Sequence, residues 1–169
     1  MLKKLKIRLV ILIIVTTILQ VTLIPYISLH NVKPDLFYGL FALLILQFSN
    51  IQTILLAFII GFLKDLFANN LFGLEIISLL IPALILPFIV KKTDINNPLV
   101  RFIILFISSL LAFFTLLTSI AVIEKSPEVI NIYFMKILES SLYTAIISFV
   151  LYYFLKLFIP KKTEQYELF

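Results

Sequence analysis

Lys64 and Asp65 stand side by side inside IIGFLKDLFANNLFGLE, residues 59–75, a run otherwise built for lipid. They are the most chemically capable neighbours in a chain with one histidine, three glycines and no cysteine. Without cysteine, disulfides and thiolate metal sites are excluded. With three glycines and one histidine in the chain, an HExxH zinc motif, a glycine-rich phosphate loop and a Ser-His-Asp set are not expected. A metal-dependent lipid phosphotransferase needs clustered intramembrane acids, which Asp65 alone does not supply. His30, in SLHNVKPD, reads as an exposed loop residue. The residues therefore imply no enzyme, no cofactor and no metal site.

What the pair does instead follows from its spacing. Ala57, Gly61 and Asp65 recur at i, i+4 and i+8 and share one helix face. Small residues at that interval let two membrane helices approach closely. A charge at the bilayer centre costs about 2.5–3.5 kcal/mol on insertion scales, so an intramembrane acid is expected to face the bundle and find a partner. Lys64 lies about 100° around the helix from Asp65, too far for a neat pair, and is expected to snorkel toward the outer interface. Asn69-Asn70 then reads as a turn, Gly73 as a close re-entry, and Glu75 as an acid in the first turn of the next helix, where the dipole favours it. Two roles stand side by side for this stretch: a polar hairpin that holds two helices together, and a partner-binding surface.

The elements that must position these residues are membrane helices. Of the 169 residues, 62% are hydrophobic and only 14% charged, with mean hydropathy +1.16, far from the soluble average of about a quarter charged. Six apolar segments can be drawn, near 9–27, 36–48, 51–68, 72–90, 99–123 and 138–159. Together they predict one all-α membrane domain, a six-helix transmembrane bundle with no soluble domain. The basic flank of the first segment resembles a signal peptide, but its apolar run is long and no A-x-A-like cleavage site follows, so it reads as a retained helix.

The segment 36–48 is short for the roughly 30 Å hydrocarbon core, and merging it with the next would give five spans. Basic residues arbitrate. With six spans and an inner N-terminus, ten of them (Lys3, Lys4, Lys6, Arg8, Lys91, Lys92, Arg101, Lys156, Lys161 and Lys162) lie inside and three (Lys33, Lys125, Lys136) outside. Five spans erase that asymmetry, so the positive-inside rule favours six, with both termini cytoplasmic and Ser49-Asn50 as a tight inner turn. The formal charge of +5 thus belongs to helix ends and anionic lipid, not to a nucleic-acid partner. Pro82 and Pro87 should kink the fourth helix or free carbonyls there. Lys136, Ser140, Thr144 and Ser148 form a four-spaced stripe read as packing, and residues 128–139 either begin the sixth helix early or lie along the outer surface.

These residues also carry a resemblance. Pro34-Asp35 opening the second helix, Gly61-F-L-K-Asp65-Leu66, the polar Asn69-Asn70 and Leu71-Phe72-Gly73 resemble, in order and spacing, the MreD family of bacterial rod-shape membrane proteins. Lys64 departs from that pattern, where an apolar residue is usual. The resemblance implies a non-enzymatic scaffold of the cell-elongation machinery in the bacterial cytoplasmic membrane, helping to organise peptidoglycan synthesis. Its direct partner would be an MreC-like bitopic protein. Beyond that would lie an actin-like filament protein and a wall-synthesis glycosyltransferase and transpeptidase. On this reading Pro34, Asp35, Ala57, Gly61, Asp65 and Gly73 are the partner-binding or structural motif. The alternative is the substrate-binding subunit of an energy-coupling-factor vitamin transporter, of similar size and helix number. Such a subunit presents several aromatic and polar groups to an outer pocket, whereas this chain has no tryptophan and brief outer loops.

Overall fold

The structure, a computed structural model, describes residues 2–27, 32–68, 71–125 and 128–155; His30 and the Asn69-Asn70 turn lie outside them. The described chain forms six α-helices: α1 (Leu2–Thr22), α2 (Leu36–Ile45), α3 (Asn50–Phe67), α4 (Leu74–Lys92), α5 (Pro98–Ile123) and α6 (Glu128–Leu155), with one 3₁₀ turn at Ile24–Tyr26. Five segments are long and apolar enough to cross a membrane, and α2 is the short exception. The chain is an all-α, multi-pass membrane protein.

The short segment turns out to be the centre of the bundle. At ten residues, α2 is only about 15 Å long, and it ends at Ile45 rather than Phe48. All ten residues are buried, and α2 packs against each of the other five helices. A helix that is apolar all round belongs in a core. Phe37, Tyr38, Phe41, Leu43, Leu44 and Ile45, each no more than 2% exposed, fill the space that the longer helices enclose. One position must stay small: a Cβ at Gly39 would collide with the Ser148 hydroxyl of α6.

Contacts fix the helix directions. Gln20, near the end of α1, bonds the start of α2; Lys64, near the end of α3, reaches both the start of α2 and the start of α4. Arg101 at the start of α5 stacks on Tyr152 near the end of α6. Successive helices therefore run antiparallel, α1 and α3 point the same way, and the chain returns between them through α2. The return closes in a tight turn: Gln47 and Phe48 N–H groups both donate to Leu44 C=O, and Gln52 Oε1 accepts from Ser49 N–H at the start of α3. The sixth helix begins at Glu128, so residues 128–139 are its first turns and not a separate surface segment.

Both Pro82 and Pro87 lie within α4. A proline has no N–H, so the carbonyl four residues earlier loses its helical donor. For Pro82 that carbonyl belongs to Ser78, and Thr115 Oγ1 of α5 lies 3.0 Å from it, its one proton shared with Ala112 C=O of its own helix at 2.9 Å. The proline thereby creates an acceptor through which α4 and α5 are joined. Thr115→Val should cost about 0.6 kcal/mol in the native sequence and close to nothing in a Pro82→Ala background, where the restored N–H satisfies Ser78. A double-mutant cycle by thermal unfolding in detergent checks this, and equal costs in the two backgrounds would refute it.

Candidate functional site

The site grows from an elementary problem: α2 starts inside the bundle, where its first N–H groups have no water to bond. Four hydrogen bonds meet this need. Leu36 N–H donates to Gln20 Oε1 of α1 at 2.8 Å, Phe37 and Tyr38 N–H both donate to Asp35 Oδ1 at 3.0 Å, and Gly39 N–H donates to Asp35 C=O. Asp35 is thus the N-cap, in the extended conformation such a residue takes. Its own N–H donates to Thr144 Oγ1 of α6 at 3.0 Å. Pro34 before it is buried and brings no N–H of its own that would need a partner.

The cap carries a charge, and the charge needs an opposite. Lys64 Nζ lies 2.6 Å from Asp35 Oδ2 and 2.7 Å from Glu75 Oε2, with its side chain only 11% exposed. The same ammonium sits 3.3 Å from the centroid of the Tyr38 ring. Its three donor directions are met by two carboxylates and a π face. The sequence expectation of snorkelling is therefore corrected: Lys64 points into the bundle because two acids on other elements converge on it.

Glu75 is held from a second side. Tyr38 O–H donates to Glu75 Oε2 at 2.7 Å and lies 2.9 Å from Ser78 Oγ, while Ser78 Oγ reaches Glu75 C=O at 2.8 Å. Phe113 of α5 meets the Tyr38 ring edge-on at 4.8 Å. Every long helix thus touches the network or its immediate supports.

Asp65 solves the same problem for α4. The N-cap of α4 is Gly73, which has no side chain to cap with. Asp65 serves from α3: its Oδ1 accepts from Glu75 N–H at 3.1 Å and its Oδ2 from Ile76 N–H at 3.3 Å. The carboxylate, 5% exposed, also sits where the helix dipole favours it. Gly61 permits the approach, since a Cβ there would lie 2.6 Å from Ile76 Cα. Ala57, 0% exposed, continues the same inward face.

Gly73 has a different reason from the expected close re-entry. Nothing lies within 4 Å of where its Cβ would be, but its φ is +101°, a conformation that favours glycine.

The structure thus brings Asp35, Gly61 and Asp65 together around Lys64, with Pro34, Ala57 and Gly73 at the margins. Gln20, Tyr38, Ser78, Thr115 and Thr144 were missed as members. A lone glutamine in the apolar run of α1 and a tyrosine three residues after Asp35 were the available signals. Lys136, by contrast, is exposed, over the Tyr133 ring, so the four-spaced stripe of α6 divides: Thr144 and Ser148 pack inward and Lys136 does not. Among the described residues no three of His, Cys, Asp and Glu are placed to hold a metal ion. The chain matches no family model, no curated protein and no solved structure.

Two outcomes follow. Lys64→Met leaves two desolvated carboxylates unpaired and should destabilise the bundle by about 3–5 kcal/mol, whereas the triple change Lys64→Met, Asp35→Asn, Glu75→Gln should recover much of that loss. Thermal unfolding of the purified variants measures both; a triple variant no better than the single one would show that charge pairing is not the issue. Gly61→Ala should cost about 1–3 kcal/mol by forcing α3 from α4, more than Asp65→Asn, which keeps one backbone acceptor.

Proposed function

We propose that the chain is a non-enzymatic scaffold of the bacterial cell-elongation machinery, as its resemblance to the MreD family implies, gripping an MreC-like bitopic partner within the cytoplasmic membrane. Through that partner it connects to an actin-like filament protein and to the glycosyltransferase and transpeptidase that build peptidoglycan. The observation that supports this reading is the engagement of the intramembrane charges with one another. Asp35, Lys64, Asp65 and Glu75 are bonded to each other or to helix ends at 2.6–3.3 Å, an arrangement suited to holding a shape. Of the residues that carry the resemblance, Asp35, Asp65 and Gly73 lie at these helix ends, so the motif reads as the part of the chain that defines that shape.

A partner then meets the outside of the bundle. The outward faces of the spans are apolar, with Ile11, Ile14 and Ile18 of α1, Leu55 and Phe58 of α3, and Leu84 and Phe88 of α4 all more than half exposed. They suit contact with lipid or with another membrane helix. In the orientation we propose, both termini are cytoplasmic, and the α4–α5 connection, flanked by Lys91, Lys92 and Arg101, faces the cytoplasm.

Depleting the protein in its native rod-shaped host should widen or round the cells and release the bitopic partner from membrane pull-downs. Cells that keep their shape but stop importing a vitamin would replace the scaffold reading with the transporter one. Single cysteines at Phe72 and Lys125 should label from outside and one at Asn96 should not; external labelling at Asn96 would reverse the orientation.

A further inference from the structure

A second buried cation lies at the opposite end of the bundle, and it is held differently from Lys64. Arg101 is 8% exposed and stands in the first turns of α5, behind the Asn97 cap and Pro98. There the helix dipole disfavours a positive charge. Its Nη2 donates to Ile95 C=O at 2.9 Å and to Asn96 C=O at 3.4 Å, and its guanidinium carbon lies 3.9 Å from the Tyr152 ring centroid. The two salt bridges among the described residues both belong to Lys64; none reaches Arg101. Asp94, the nearest acid in sequence, is exposed and accepts instead from Asn96 N–H at 3.0 Å. A guanidinium has five N–H donors in a planar fork, and those beyond Nη2 bond to none of the described residues.

A charge this buried is costly unless an opposite charge meets it. The location says which kind is at hand. Arg101 lies near the end of one membrane-length helix, α4, and the start of another, α5, and the ends of such spans are where lipid headgroups are met. Lys91 and Lys92 occupy the exposed last turn of α4 across the short connection. Apolar surface flanks the spot, with Leu99 64% and Phe88 60% exposed, as acyl chains require. An arginine fork matches two phosphate oxygens, which an ammonium does less well.

We propose that the α4–α5 end binds the phosphate of an anionic phospholipid, with Arg101 as the buried contact and Lys91 and Lys92 as the peripheral charge. The bound phosphate completes the ion pairing of Arg101 and ties α4, α5 and α6 to the membrane surface through the Tyr152 stack.

The test is native mass spectrometry of the full chain released from bilayers of equimolar phosphatidylglycerol and phosphatidylcholine. The wild type should retain phosphatidylglycerol in preference. Arg101→Gln should lower that preference about fivefold, the effect of one basic residue at a membrane surface, and Arg101→Lys should fall between them. Lys136→Gln, at the other end, should change nothing. Equal preference in the wild type and Arg101→Gln would overturn the proposal. Should Arg101→Gln fail to fold, the exposed pair Lys91→Gln/Lys92→Gln decides, and an unaltered preference there overturns it equally. A second arm adds inorganic phosphate to protein in phosphatidylcholine alone; an Arg101-dependent rise in melting temperature would mark soluble phosphate as the ligand and overturn the lipid source.

Discussion

Everything at the centre of this bundle depends on one ammonium group held between two carboxylates where water does not help. The dependence runs in a chain. A helix that begins inside protein needs its N–H groups bonded, so Asp35 caps α2; the cap is an anion, so Lys64 must reach it; Lys64 then carries the first turn of α4 along through Glu75. Such a pair is weak evidence for net stability, because desolvation cancels much of the attraction, yet losing one member is expensive. Its physical effect is therefore on which arrangement is allowed. Sliding α3 along α2 by one turn, about 5.4 Å, would strand at least one buried charge.

The apolar residues alone could not impose that. Leucine, isoleucine and phenylalanine cover both the inside and the outside of this bundle, and in lipid there is little hydrophobic preference between the two. Of the membrane-length windows, the one that includes α1 is 6% buried and that of α4 50%, although these two are similarly apolar. What separates a lipid-facing turn from a protein-facing one is the sparse set of small and polar residues. Gln20 turns α1 toward α2, Ser109 bonds Ser141 C=O between α5 and α6, and Gly61 draws α3 onto α4.

This explains which features the sequence made legible. Helix class and the inward face through Ala57, Gly61 and Asp65 follow from composition and a local period, and both could be read directly. Lys64 could not, because snorkelling is inferred from position along one helix, while its partners come from the approach to α2 and the start of α4. The segment near 36–48 was weak when judged as a lipid span, since its length suits a helix surrounded by protein. Residues 128–139 were ambiguous because Lys136 and Glu139 interrupt the apolar pattern, yet both are exposed on a helix already formed. Thr115 was invisible for a related reason: its acceptor exists only because Pro82, on another helix, has no N–H.

Two aspartates of similar sequence appearance end in the same task by different routes. Asp35 caps its own helix. Asp65 caps the next one, because Gly73 must take a left-handed φ of +101° and so leaves α4 without a capping side chain. Capping across the hairpin makes the start of α4 conditional on the position of α3, and the Tyr38–Glu75 hydrogen bond makes it conditional on α2 as well. Any displacement of α3 from α4 would loosen Asp65 and Lys64 at once. Of the two roles read from the stretch around Lys64 and Asp65, the contacts account for holding helices together: the polar residues set the shape from within, and that shape positions the apolar faces outside.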